Sequence, residues 1–374
     1  MADLRRRSLR FALPLALACG AATPSAAAAQ EPDTVPAPAG PFTTPVTTPG
    51  SEPDDRERTA QLLGEASTEG YLLRSTWSRT PRGAAGSPVR LKLVGPQLVT
   101  TWSSRLPWSQ NDGPVWAGRG LTTSVTGGFR VEAGRVTLVV APVVGFAQNR
   151  ALSDLSPQVL EAGGYVLPWY SGATSADLPL RFGDEGITFF DPGESSLSVR
   201  AGGVAFGAST ESLWWGPGIR NALVMSDNAP GIPHFFLRTA SPLVTPLGRF
   251  EARWMVGALS ESEYFDTVSS NDVRSLSGLV ATFTPAFEPG LTLGAARTVQ
   301  AVVDGSGSVP GRAGDVFLKW GGTAAGDSAD FEQITSLFGR WVFPGDGVEV
   351  YGEWARTEMP RSIGDFLDYP NHTQ

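Results

Sequence analysis

Few residues in this chain are equipped for covalent chemistry, and their spacing argues against most of it. His234 and His372 are the two histidines, and the single cysteine is Cys19. Zinc sites need several His or Cys ligands at short spacing, so no metal and no cofactor is expected. Ser226, Asp227 and His234 have the residue types of a hydrolase triad, but no Gly-x-Ser-x-Gly elbow accompanies them. His234 follows Pro233 and reads as a hydrogen-bonded histidine in a turn. Glu349 and Glu353 could supply the acid and base of a glycosidase. Four positions apart on a strand they share a face, yet they stand about 13 Å apart, beyond the roughly 5 to 10 Å that either mechanism uses. With Arg253, Glu251 and Arg340 they read instead as charges facing a wet interior. No catalytic residue is expected.

Binding chemistry is better represented. Between Ser209 and Thr239 two adjacent indoles, Trp214 and Trp215, precede a Gly216-Pro217-Gly218 corner, and a second turn cluster follows at Asn228, Pro230 and Gly231. Proline removes a ladder donor and glycine frees the backbone, so these corners impose a tightly turning segment between strands. The indoles can stack on sugar rings or brace the turn, and the bracing role is the commoner one. Asn111, Asp112 and Asn228 could hydrogen-bond sugar hydroxyls, although Asn and Asp at turns commonly bond their own backbone. Trp116 belongs with them as a ligand-binding candidate.

The elements that must position these residues are strands. Val89, Leu91 and Leu93 alternate with Arg90 and Lys92, and Val136, Leu138 and Val140 with Arg135 and Thr137. Phe250, Ala252, Trp254 and Val256 alternate with Arg249, Glu251, Arg253 and Met255; Val348, Val350 and Trp354 alternate with Glu349, Tyr351 and Glu353. About a dozen such segments of roughly ten residues lie between Val89 and Thr357, the length at which a tilted strand crosses a bilayer. A soluble sandwich would show the same period. Arg and Glu recur on the inward face of strand after strand, however, and a wet barrel lumen holds such charges where a soluble core cannot. Trp254, Trp320, Trp341 and Trp354 then suit an aromatic girdle. The fold class expected is an all-β transmembrane antiparallel barrel, preceded by a short helical element.

Composition agrees. The chain has 374 residues, 44 Gly, 11 Trp and 29 Lys plus Arg, of which only Lys92 and Lys319 are lysines. Residues 1–29 have the charged start, apolar middle and small-residue end of a cleaved export signal, with Cys19 as a weaker lipidation candidate. Its removal takes away four arginines and one aspartate, which moves the net charge from −8 to −11. That argues against nucleic acid as a partner. Residues 30–58, rich in Pro and Thr, read as a linker and 59–76 as a short helical element, while the change of character from Asp54 to Arg74 fits either two helices or one helix and an extended arm. The barrel is assigned to 89–374. The turn-like residues Asp368 to Gln374 leave it without a closing strand, so the chain reads as C-terminally truncated.

Asn111-Asp112-Gly113-Pro114-Val115-Trp116-Ala117-Gly118-Arg119-Gly120 and the block from Ser209 to Pro233 resemble the Wzi family of capsule-assembly outer-membrane proteins. Arg181 to Asp184 and Gln333 to Glu353 also look like segments of that family, and the likeness runs from Asn111 to Pro370. The resemblance implies a large monomeric barrel in the outer membrane, with a small helical element on its periplasmic side. It further implies a non-catalytic role, binding capsular or other surface polysaccharide, with outer-membrane lipid as the other partner. A porin-like channel, with the same lumen charges setting selectivity, is the alternative.

Overall fold

The computed structural model describes residues 43–78, 89–152, 182–183, 185–261, 272–318, 331–357 and 372–373. The export signal with Cys19, the linker as far as residue 42, Trp320 and the tail from 358 to 371 lie outside the described residues.

An N-terminal segment carries β1 (Thr43–Thr44), α1 (Glu52–Leu62) and β2 (Leu73–Ser75). Pro53 stands in the first turn of α1 with Glu52, Asp54 and Asp55, where a missing N–H costs nothing and negative charge meets the positive end of the helix dipole. The helix therefore begins inside the stretch whose composition suggested a linker. Downstream the chain turns between Leu63 and Leu72 before the three-residue strand β2, with no second helix there. What α1 buries is polar, namely Asp54, Arg58 and Gln61, at positions i, i+4 and i+7.

The rest is antiparallel sheet. Long strands β3 (Arg90–Ser103) and β4 (Gly120–Ala133) lead into β5 (Val136–Val140) and β6 (Val143–Ala147), which pair along β4 one after the other. The break between them falls at Ala141-Pro142, because proline offers the ladder no N–H. A matching break separates β7 (Ile187–Asp191) from β8 (Ser196–Ala201), and Ala141 bridges Gly193 where the two breaks meet. Next come β9 (Val204–Ser209), β10 (Leu213–Trp215), β11 (His234–Thr239), β12 (Leu243–Thr245), β13 (Gly248–Ser260), β14 (Val273–Pro285) and β15 (Leu291–Val302). A 3-10 turn at Ser306–Arg312 and the short α2 (Asp315–Leu318) precede β16 (Phe331–Phe343), β17 (Val348–Arg356) and β18 (His372–Thr373). The order β3-β4-β5-β8-β9-β11-β13-β14-β15-β16-β17-β18 follows the chain, with β1 parallel to β3 at one edge. β18 is a two-residue rung on β17, in a tail whose sequence suggested only a turn. Among the described residues no pairing joins β3 to β17 or β18, and the strand order is open.

Register fixes which residues face inward. Met255 pairs with Gly278, Val280 with Ala296, and Gly294 with Phe338. Met255, Val280, Ala296 and Phe338, with Phe236 and Leu276, pack into one apolar cluster with Tyr71, Leu72 and Leu73 of the N-terminal segment and Leu213, Trp215 and Met225. Val94, Val139 and Ala141, near the other edge, meet Val46 and Trp77 of the same segment. The sheet thus wraps around its own N-terminal segment. Its opposite face carries exposed Leu91, Leu98, Phe190, Phe235 and Val350. The connections at 134–135, 202–203, 286–290 and 344–347 are short and share one end of the sheet, whereas 104–119 lies at the other, where β15 ends and β16 begins. Of the girdle candidates, Trp341 is outward and half-exposed with its ring 4.9 Å from Phe343. Trp354 is outward by register. Trp254 is outward too but covered, as described below.

Candidate functional site

The sequence from Thr210 to Pro233 leaves the sheet at Ser209 and returns at His234, two residues paired across adjacent strands. Such an excursion needs a second support, and β2 provides it: Leu213, Trp214 and Trp215 pair with Ser75, Arg74 and Leu73. Both indoles are 0% exposed. Trp215 lies against Gly278 of β14, where an added Cβ would stand 2.7 Å from the ring. Trp214 has the Arg74 guanidinium 4.8 Å from its ring centre. Neither indole face is open to a sugar ring.

The Gly-Pro-Gly corner has a definite use. Gly216 takes φ 115, a conformation that favours glycine, and its N–H donates to Leu72 O at 3.0 Å. The turn aims successive carbonyls at the N-terminal segment. Gly216 O accepts from Arg74 Nη1, Pro217 O from Arg58 Nη1 at 2.6 Å, and Gly218 O from Arg74 Nη2. Arg74 is held by Asp54 at 2.9 Å. Arg58 is held by Glu349 at 2.6 Å, and the same carboxylate takes Arg340 Nε at 2.7 Å. The guanidinium carbons of Arg58, Arg74 and Arg340 lie 5.6, 4.2 and 4.5 Å from the Tyr71 ring centre. The inward charges of β16 and β17, expected to hydrate a lumen, instead clamp α1 and the motif corner.

The turn motifs converge on this junction. Asn111 N–H donates to Asn228 Oδ1 at 2.9 Å, Asn111 Nδ2 to Arg220 O at 3.0 Å, and Gly113 N–H to Asp227 O at 3.0 Å. A Cβ on Gly50, which has φ +78, would meet both Trp214 and Asn111 within 3 Å. Asn111, Asn228 and Trp214, far apart in sequence, therefore form one interlock. Asp112 stays exposed, accepting from Ser109 Oγ and Gln110 N–H in its own turn. Trp116 stands edge-on to Phe182 at 5.0 Å. Pro230 is exposed, and Gly231 lies so close to Thr210 O that a side chain there would clash.

The candidate catalytic groups are all engaged elsewhere. His234 Nδ1 meets Ile232 O at 2.6 Å and Nε2 meets Arg253 Nη2 at 2.9 Å, so neither nitrogen serves Ser226 or Asp227. Glu353 accepts from Ser336 Oγ and Leu223 N–H. Among the described residues no cluster could hold a metal.

Sequence reasoning missed a buried carboxylate cluster. Glu194, at the β7–β8 break, accepts from Ser212 N–H and Oγ and from Thr76 Oγ1, and its carbonyl takes Trp77 Nε1. Glu211 accepts from Ser75 Oγ and Trp77 N–H. Burial pushes the Glu211 carboxyl up, but Arg253, Ser75 and the Trp77 N–H outweigh it and hold it below its ordinary value. Asp227 has no such cation: burial, then the nearby Glu194 charge, push it well above the usual carboxylate range. The folded state therefore keeps a proton on Asp227 that the unfolded chain gives up near pH ~4. Its stabilising contribution is complete below that value and is lost as pH rises through the folded pKa. Asp227→Asn is expected to raise stability at neutral pH and to flatten this decline, measured as urea unfolding at a series of pH values. An unchanged slope would dismiss the assignment.

Sequence reasoning also missed the exposed indoles. Trp108, in the 104–119 connection, is 71% exposed. Trp102, at the end of β3, is exposed with Arg150 5.4 Å from its ring centre. The one available signal was Trp108 following Pro107, an indole placed outside any alternating strand.

Comparison with known proteins came to one family and one solved structure. The family profile described as "Capsule assembly protein Wzi" matches residues 109–355. No curated protein matches. The solved structure is that of Wzi from Escherichia coli, described as an outer-membrane protein involved in group 1 capsule assembly and a carbohydrate-binding β-barrel. The two align with a TM-score of 0.43 and 13% identity, over 75% of this chain and 50% of that one, so this chain spans about half the length of that relative.

Proposed function

The chain belongs to the capsule assembly protein Wzi family, and from that premise we propose that it is a non-catalytic outer-membrane protein. In this reading it acts as a monomer and retains exported capsular polysaccharide at the cell surface. The observation that carries the proposal is the family match over 109–355, which takes in the interlocked motifs and the sheet around them. The structure adds two supports. His234 is bonded to Ile232 O and Arg253, Glu349 to Arg58 and Arg340, and Glu353 to Ser336 and Leu223 N–H, so these candidate groups are engaged in packing. That segment also fills the space a porin would leave open, which favours retention over conduction.

Bacterial barrels place short turns in the periplasm and long loops outside. This orientation puts the end of α1, where Leu62 O accepts from Gly345 N–H, at the periplasmic side. It puts Trp108 at the cell surface, and the buried pair Trp214 and Trp215 then serves as a brace. We assign sugar contact to Trp108.

The test uses purified protein in vesicles and labelled capsular polysaccharide from the source strain. Trp108→Ala is expected to weaken retention about 2- to 13-fold, the equivalent of a stacking contact of about 0.5–1.5 kcal/mol, without altering the unfolding midpoint. Steady open-pore conductance in planar bilayers with no polysaccharide bound would overturn the retention reading in favour of a channel.

A further inference from the structure

The outward face of the sheet is not apolar throughout. Register places Ser275 and Ser277 of β14, Arg297 of β15 and Gln333 of β16 on the side opposite Met255, Val280, Ala296 and Phe338. These outward residues are nonetheless buried, Arg297 to 6% exposure. The cover is the segment from Asp304 to Phe317. Ala313 O accepts from both Ser277 Oγ and Trp254 Nε1, at 3.0 Å each, Val316 O accepts from Arg297 Nη1, and Arg297 Nη2 donates to Gln333 Oε1 at 2.8 Å. Val309 and Ala313 pack on outward Val256, Ala258 and Val273, and Phe317 lies 6.2 Å from Trp254.

We propose that this segment is an external strap seated in the headgroup layer, and that it sets the upper limit of the lipid-facing surface on the β13–β16 side. The inference rests on the membrane-spanning reading above. Two observations require this level. An arginine and a row of hydroxyls facing hydrocarbon would be costly, so they need a cover if they lie at lipid depth at all. From Asp304 to Gly311 the cover's outer surface is Asp304, Ser306, Gly307, Ser308, Pro310 and Gly311, all exposed and none suited to hydrocarbon beyond the proline, and Phe317, half-exposed beside Trp254, is the apolar group at its far end. The strap and the patch beneath it therefore both belong above the acyl chains.

The consequence is a short apolar band. On β14 the outward residues from the short-turn end are Phe283, Ala281 and Leu279 before Ser277 is reached; on β15 they are Leu291, Leu293 and Ala295 before Arg297. That is at most about 20 Å along a strand and about 15 Å along the bilayer normal at a tilt near 40°, against a usual band of about 25 Å. Phe250 and Phe283, 4.5 Å apart, and Trp341 mark the lower limit. The bilayer beside β13–β16 is accordingly thinned or the barrel leans toward that side.

The experiment takes the full chain with Cys19→Ser, single cysteines at Ser308, Leu337 and Val144, and a nitroxide label at each, in phosphatidylcholine vesicles. These side chains are exposed, so labelling leaves packing alone. Expected is hydrocarbon accessibility, high to oxygen and low to a water-soluble nickel chelate, at Leu337 and Val144, with the chelate several-fold more accessible at Ser308. Hydrocarbon depth at Ser308 together with Leu337 and Val144 overturns the strap assignment alone. Chelate access at all three overturns the membrane-spanning reading on which it rests.

Discussion

Replacing Trp215 with alanine is expected to cost the folded state about 3–5 kcal/mol, the range for truncating a fully buried tryptophan. The indole is 0% exposed and packs among Leu73, Met255, Leu276, Val280 and Phe338, so it joins the N-terminal segment to β13, β14 and β16 at once. Its Nε1 has no hydrogen-bond partner, so the loss is one of packing rather than of a polar contact. Gly278 supplies the complementary test, since a Cβ there would lie 2.7 Å from the ring. Gly278→Val is expected to destabilise by about 1–3 kcal/mol through overpacking. Both variants would be read as urea unfolding midpoints in vesicles, beside the polysaccharide retained. Unchanged stability with polysaccharide lost would make the indole a sugar platform instead of a brace.

Glu349→Ala is the second large effect, about 3–5 kcal/mol, because it strands two buried cations. Arg58 and Arg340 are 4% and 2% exposed at the side chain, and Glu349, at 11%, is the carboxylate that both share. Arg58 also holds Pro217 O, so its loosening frees the corner that orients Trp214 and Trp215. The cost is therefore expected to be non-additive with Trp215→Ala, because both changes release the same contact between N-terminal segment and motif. A double-mutant cycle on unfolding free energy measures this. Strict additivity would show that the clamp and the indoles act separately.

The sequence made the sheet legible because the period of two is local. Phe250, Ala252 and Trp254 could be assigned to one face and Arg249, Glu251 and Arg253 to the other without knowing any partner strand, and the register keeps that division. The motif block was likewise legible as an irregular segment, since proline and glycine act on their own backbone. Helix α1 escapes that pattern for a converse reason: its buried stripe is Asp54, Arg58 and Gln61, and apolar periodicity does not register a helix that buries charge.

Alternation states that a side chain points inward; it does not state what it meets there. Arg340 and Glu349 are legible as inward but not as a clamp, because the groups they hold, Gln61 and Arg58, lie nearly three hundred residues away. Arg297 sits at an outward position that an alternation rule would give to lipid, and only the strap bonded to it removes the conflict. By itself the sequence determined a β-sheet with one charged face, a family, and a block of conformationally restricted turns. The tertiary structure decided that the charged face grips the chain's own N-terminal segment, that the paired indoles are sealed inside, and that the exposed aromatic candidate is Trp108. Those outcomes depend on contacts between distant segments, whose energies no local pattern of residue types contains.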